Sequence, residues 1–307
     1  MRYVTVPGVP RPVSRLTLGS MVFPSLEQDQ VNAMLDAWVE GGGTMIDTAR
    51  IYGHGESDRK LGAWLGAGNR ERLMVLGKGC HPDVDGSRMT AADLQSDISE
   101  SLEALQTDHI ELYMLHRDDP TVPAAEIVDW LHEQRQAGAI GAFGGSNWAV
   151  ARVHEANAHA AKRRIAGFAA TSNYFGLATA NEDFWPGVVV INDAARNWYT
   201  ETDTVNFAWS SLGRGYFAGK ADGPNADANV ARVYANEVNA ARKARAEELG
   251  ARRGLTGIQI AGAYAVNQPF PAVALAGAES VAEVQTATAA GDIELSAAEI
   301  RWLETGQ

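Results

Sequence analysis

Short apolar runs alternate with longer amphipathic segments along nearly the whole chain. The runs are RLTLGS from Arg15, TMIDTA from Thr44, LMVLGKG from Leu73, IELYMLHR from Ile110, IGAFGGSN from Ile140, GFAATSN from Gly167, TVNFAWSS from Thr204 and AVALAGA from Ala272. Between most of them the apolar positions switch to helical spacing. QVNAMLDAWVEGG places Val31, Met34, Leu35, Trp38 and Val39 on one face and stops at glycine. TAADLQSDISESLEALQ opens on Thr90, a predicted N-cap with Asp93 at the capping-box position, and carries Leu94, Ile98, Leu102 and Leu105. PAAEIVDWLHEQRQAG begins with Pro123, which suits a first helical turn, and TGIQIAGAYAVNQP ends before Pro269.

Eight such strand–helix units in 307 residues predict an α/β fold, a (β/α)₈ TIM barrel, forming one domain over residues 1–307. A doubly wound open sheet is the structural alternative, but no G-x-G-x-x-G follows the first run. Residues 1–12, turning at PGVPRP, predict a short N-terminal hairpin outside the repeat.

In a barrel of this kind chemistry gathers at the C-terminal ends of the strands. The second run ends on Asp47, with Tyr52 just beyond, the third on Lys78 and the fourth on His116 and Arg117. The fifth ends on Ser146 and Asn147, the sixth on Ser172 and Asn173, and the seventh on Trp209, Ser210 and Ser211. Taken singly, Asp47 is a turn acid, Tyr52 a packing aromatic and Lys78 a surface lysine. Together they assemble a reaction. A tyrosine with its ordinary pKa of about 10 gives up a proton poorly, and a neighbouring ammonium favours its phenolate. Lys78 is placed to do this to Tyr52, Asp47 to hold Lys78, and His116 to donate a hydrogen bond to a substrate oxygen. The result is a general acid facing a carbonyl.

Composition narrows the field further. Hydrophobic residues make up 46% and charged residues 21%, an ordinary globular balance, while the net charge of −12 repels a nucleic-acid backbone. The basic stretches AKRRI and ARKARAEELGARRG are short, and the second is broken by Glu247 and Glu248 as on a solvated helix. One cysteine, Cys80, rules out an internal disulfide and suits a reducing compartment. Neither a signal-peptide core nor an apolar run of membrane-spanning length is found, so the expectation is a cytoplasmic protein that does not enter membranes. CHPDVD lacks the spacing of a metal site, and no G-x-S-x-G elbow offers a serine nucleophile. Oligomeric state has no signal in the sequence.

The motifs resemble those of the aldo-keto reductases, over essentially the whole chain. GGTMIDTARIYGHGESDRKLG is similar to the family's first signature, and SESLEALQTDHIELYMLH resembles its second. GGSNW matches the end of the fifth strand, and FAWSSLGRGYFAGK the segment that folds over the cofactor. The resemblance implies transfer of a hydride from NAD(P)H to the carbonyl of an aldehyde or ketone, reversibly and without a metal. It implies Tyr52 as general acid, Lys78 as the group that lowers its pKa, Asp47 as partner of Lys78, and His116 as the residue orienting the carbonyl. Ser146 and Asn147 would bind the nicotinamide carboxamide, and Trp209 would stack on its ring. Ser210, Ser211, Leu212 and Gly213 would follow the cofactor onward. Where many relatives hold the carboxamide with Gln, this chain has Ser172 and Asn173. Some relatives keep the barrel and the nucleotide as regulatory subunits with little turnover, which is the alternative function; a lyase or isomerase would not need Trp209 and the Ser146–Asn147 pair.

In the last loop, LAGAESVAEVQTATAA, the cofactor-facing positions are Gly277, Ala278, Glu279, Ser280 and Glu283. NADP-using relatives commonly carry Lys or Arg there. A carboxylate repels a 2′-phosphate but accepts a hydrogen bond from a free ribose 2′-OH, so NAD(H) is expected to be favoured over NADP(H). Phe23, His54 and Trp148 are expected to wall the substrate pocket. The chain ends soon after its last helix, which predicts an open pocket suited to larger ketones. The glycine-rich loop from Gly213 to Gly223 is the expected lid.

Overall fold

The eight apolar runs pair in chain order, each parallel to the next, and the last closes on the first. In the computed structural model, which describes residues 1–222 and 226–307, the barrel strands are β3 (Leu16–Gly19), β4 (Met45–Asp47), β5 (Met74–Gly79) and β6 (Ile110–Leu115). They continue through β7 (Ile140–Ser146), β8 (Ala170–Ser172), β9 (Val205–Ala208) and β10 (Ala272–Gly277). Hydrogen bonding runs around the closed ring from β3 to β10 and back to β3. The first two strands, β1 (Tyr3–Val4) and β2 (Val13–Ser14), form a separate antiparallel hairpin, reaching two residues beyond the expected boundary.

Register decides what fills the barrel. Side chains alternate along a strand, so every second residue points inward. On β5 these are Met74, Leu76 and then Lys78; on β6 they are Leu112 and Met114, with His116 next in the stripe just past the strand's end. The lower members join Met45, Ala142, Ala170, Val205, Phe207 and Val273 in one apolar cluster, and Val6, Val9 and Val13 of the hairpin region close its floor. The odd members, such as Val75 and Tyr113, belong instead to the larger core shared with the surrounding helices.

The helices are α1 (Gln28–Glu40), α2 (Glu56–Trp64), α3 (Ala91–Leu105), α4 (Ala124–Gln136), α5 (Val150–Arg163) and α6 (Asp193–Thr202). After β9 come α7 (Ala228–Tyr234), α8 (Glu237–Arg253) and α9 (Gly257–Val266), and after β10, α10 (Val281–Ala290) and α11 (Ala297–Thr305). Thr90 caps α3, accepting from the Asp93 amide at 3.1 Å. Thr256 and Gln259 form a capping box on α9. Pro123 is the N-cap of α4 rather than its first helical residue. Among the described residues, no helix is long and apolar enough to cross a membrane.

Candidate active site

One cavity of about 640 Å³ opens at the C-terminal rim and is lined by Asp47, Tyr52, Lys78 and His116 together. β4 ends on Asp47 and β5 carries Lys78 one register step away, which buries both at under a twentieth of their free exposure. The Lys78 ammonium donates to the Asp47 carboxylate, to the Thr48 carbonyl at 3.3 Å and to the Tyr52 hydroxyl at 3.4 Å. Thr48 is itself fixed from behind. Its hydroxyl donates to Asp58 at 2.5 Å, and Ser101 donates to the other Asp58 oxygen at 2.9 Å. These supports lie on α2 and α3, where nothing in the sequence distinguishes them from ordinary helix polar residues.

The electrostatics divide the work. Burial would strip Lys78 of its proton, but Asp47 and Tyr52 more than offset this and hold the ammonium above its usual range. Burial lifts the Tyr52 hydroxyl above the ordinary tyrosine value, Lys78 pulls it back down, and Asp47 pushes it up again. Lys78 thus acts on Tyr52 in the expected direction, lowering its pKa against a larger desolvation effect that leaves the hydroxyl protonated at neutral pH. His116 is pushed well below the usual histidine value by burial and then by Lys78, His81 and Arg117, so its imidazole is neutral. Its Nδ1 is buried without a partner among the described residues. The Tyr52 and His81 rings both meet His116 edge-on, with centroids 5.7 and 4.9 Å away.

Next to this group the wall presents Ser146, Asn147, Ser172, Trp209, Ser210 and Leu212. Asn147 sits at φ 58°, a conformation Asn tolerates better than most residues, and donates to the Ser146 hydroxyl at 3.1 Å. Trp209 leans on Tyr174 and Trp185, and its indole nitrogen has no partner among the described residues. At the far end lie Gly277, Ala278, Glu279 and Glu283. Lys220 reaches the Glu279 carboxylate at 3.4 Å, a basic residue supplied by the segment after β9 rather than by the last loop.

Several expected site residues stand elsewhere. Ser211 is fully buried and donates to the Leu275 carbonyl at 3.0 Å, tying β10 in place. Asn173 spends its amide on the Trp148 carbonyl and the Tyr199 hydroxyl, so of the pair only Ser172 reaches the cavity. The Ser280 hydroxyl caps α10, and Gly213 lies behind Gly215, which does reach the cavity. Phe23 is fully buried in the helix-facing core. Trp148 fills the space left by Gly145, where a Cβ would come within 2.5 Å of the indole, and packs on Phe168. His54 is exposed outside the cavity at φ 53°. Met21, Val22, Ile51, His81, Trp185 and Val188 take the wall instead. They lie on loops, where sequence periodicity gives no direction to a side chain. Of the expected lid, residues 213–218 form a short 3₁₀ segment lining the cavity through Arg214, Gly215 and Ala218, while Gly223 lies outside the described residues.

Among the described residues, no group of three or more His, Cys, Asp or Glu is gathered to hold a metal ion. The model of the Aldo/keto reductase family matches residues 15–305. The uncharacterised oxidoreductase YrpG of Bacillus subtilis is 28% identical over 95% of this chain and 91% of its own. The uncharacterised oxidoreductase Mb2320 of Mycobacterium bovis is 30% identical over 97% and 90%. Among solved structures, the glycerol dehydrogenase AKR11B4 of Gluconobacter oxydans superposes with a TM-score of 0.80 at 23% identity, covering 98% of this chain and 94% of that one. An aldo-keto reductase of Klebsiella pneumoniae in complex with NADPH does so at 0.76 and 22%, covering 99% and 95%. With the closed eight-stranded barrel and the family match running almost end to end, this chain belongs to the aldo/keto reductase family.

Proposed function

We propose that the protein reduces the carbonyl of an aldehyde or ketone with a reduced nicotinamide nucleotide, reversibly, and that Tyr52 donates the proton. The observation carrying this reading is the ammonium of Lys78 held between Asp47 and the Tyr52 hydroxyl at the mouth of an otherwise apolar barrel. When bound, the nucleotide supplies the hydride. The residues present fit it: the Trp209 indole lines the same cavity as Tyr52, and Ser146 and Ser172, whose hydroxyls donate to the Ser172 and Phe207 carbonyls, turn their oxygens to that wall as acceptors beside Asn147. Neutral His116 donates a hydrogen bond to the carbonyl oxygen without competing for the proton, and Tyr52 delivers its proton to the same oxygen as charge builds there. Lys78 then stabilises the phenolate left behind, which the raised lysine pKa supports.

The nucleotide is NADH rather than NADPH. Two carboxylates, Glu279 and Glu283, line the far end of the cavity, where Lys220 pairs with Glu279. A 2′-phosphate there would meet more negative than positive charge. The reaction takes place in the cytoplasm, which the single buried Cys80 suits.

Tyr52→Phe tests the assignment. Carbonyl reduction falls by about 10²–10⁴-fold, the usual worth of a positioned proton donor, while nucleotide affinity read by tryptophan fluorescence stays near the parent value. Turnover close to the parent rate would remove Tyr52 from the role.

A further inference from the structure

Of the four Lys and Arg side chains that line the cavity, two are paired with carboxylates. Lys78 pairs with Asp47 and Lys220 with Glu279. Arg117 and Arg214 line the same cavity, and neither forms an ion pair among the described residues. This is unusual in a chain of net charge −12, where carboxylates outnumber basic side chains. A partly buried cation without an anion is costly, so the place it points to is a place for one.

Both guanidiniums are held rather than free. Arg117 follows His116 at the end of β6 and donates to the His116 carbonyl at 2.9 Å. Arg214 adopts φ 51° between Gly213 and Gly215. Its guanidinium lies 4.3 Å from the Phe184 ring centroid and 5.0 Å from that of Trp185, and its Nε is buried without a partner among the described residues. Burial weakens the hold of each on its proton. Against this, Arg117 interacts favourably with the Tyr52 oxygen when ionised, and Arg214 with Tyr234, Asp227 and Tyr52. Both cations thus line the same cavity as the atom that would protonate the carbonyl.

We propose that Arg117 and Arg214 hold a carboxylate on the carbonyl substrate, so that the protein acts on oxo acids, whose aldehyde or ketone group lies a few bonds from the acid. This rests on the reductase reading. The carbonyl accepts a hydride, carrying two electrons, at carbon and the Tyr52 proton at oxygen; the product is a hydroxy acid and the nucleotide is oxidised. The planar fork of guanidinium matches a carboxylate edge to edge. Trp185, Val188, Met21, Val22 and Ile51 complete an apolar wall that suits the short hydrocarbon between the two groups and offers little to the several hydroxyls of a sugar phosphate.

The test compares 4-oxobutanoate with butanal, which differ only in the carboxylate. In the parent protein kcat/KM for 4-oxobutanoate exceeds that for butanal by tenfold or more, and the excess shrinks as salt is added. In Arg117→Gln and in Arg214→Gln this ratio falls by about tenfold, while the Kd for NADH or NADPH stays within about twofold. Equal use of the two aldehydes by the parent overturns the proposal. So does an Arg214→Gln variant that keeps the ratio but loses nucleotide affinity, since that assigns the cation to the nucleotide's pyrophosphate. Binding of succinate, which cannot be reduced, separates the two readings. Arginine-dependent succinate binding without turnover of either aldehyde sinks the reductase reading and leaves the carboxylate site standing; no succinate binding sinks the carboxylate site.

Discussion

The two ends of the barrel are built from the same strands on the same inward stripe, and they could hardly differ more. At the floor, Met74, Leu76, Leu112, Met114 and Phe207 pack with Val6, Val9 and Val13 into a dry apolar plug. One or two register steps higher, the stripe becomes Asp47, Lys78, His116, Ser146, Ser172 and Trp209 around an open cavity. The floor is stable because it excludes polar groups. The rim is costly because it buries them, and Lys78 shows how the cost is contained, by satisfying the ammonium with Asp47, the Thr48 carbonyl and Tyr52. Stability and chemistry are thus separated along one axis by the alternation of a β-strand.

The comparison is broken most severely at Lys78. Lys78→Met removes the group that tunes Tyr52 and strands Asp47 without a partner. Carbonyl reduction falls by about 10²–10⁴-fold, and urea unfolding shows a loss of about 3–5 kcal/mol from the orphaned buried charge. Adding Asp47→Asn restores much of the stability and none of the activity; recovery of both would mean the pair serves the fold alone.

At the floor the expectation reverses. Phe207→Ala opens a cavity in the plug and costs about 3–5 kcal/mol, whereas nucleotide binding by the molecules that remain folded is retained, since Phe207 lies below the cavity. A specific loss of nucleotide affinity with little loss of stability would show that floor and rim are coupled.

The smallest effect belongs to the far end of the cavity. The Lys220–Glu279 pair is well exposed, and such pairs contribute about 0.2–1 kcal/mol. Glu279→Gln removes one repulsive carboxylate and frees Lys220, so the ratio of NADPH to NADH affinity rises by a few fold. A parent protein that already binds NADPH at least as tightly as NADH would discard the argument from these carboxylates.

Much of the rim could be read from the chain because each key residue ends an apolar run, and the parity of a strand carries its side chain to a known side. Asp47, Lys78, His116, Ser146 and Ser172 follow that rule and reach the cavity together. Residues just past the strand ends do not. Asn173 turns to Trp148 and Tyr199, Ser211 to β10, and Trp148 fills the hollow of Gly145. Once the chain leaves a strand, direction depends on which neighbour offers a hydrogen bond or an empty volume. For the same reason His81 and Trp185, both on loops, gave no sign in the sequence that they wall the site.

By itself, then, the sequence determined the eight buried strands, their order around a barrel and the residues Asp47, Lys78 and His116 that stand at the strand ends, because these follow from periodicity and from which side chains end each run. Tertiary structure alone decided which loop residues face inward, that Lys220 meets Glu279, that Asp58 and Ser101 brace Thr48, and that two arginines without an ion pair among the described residues share a cavity. These are contacts between segments far apart in the chain. They depend on how closed loops fill space above the barrel, and no local pattern of residues encodes that.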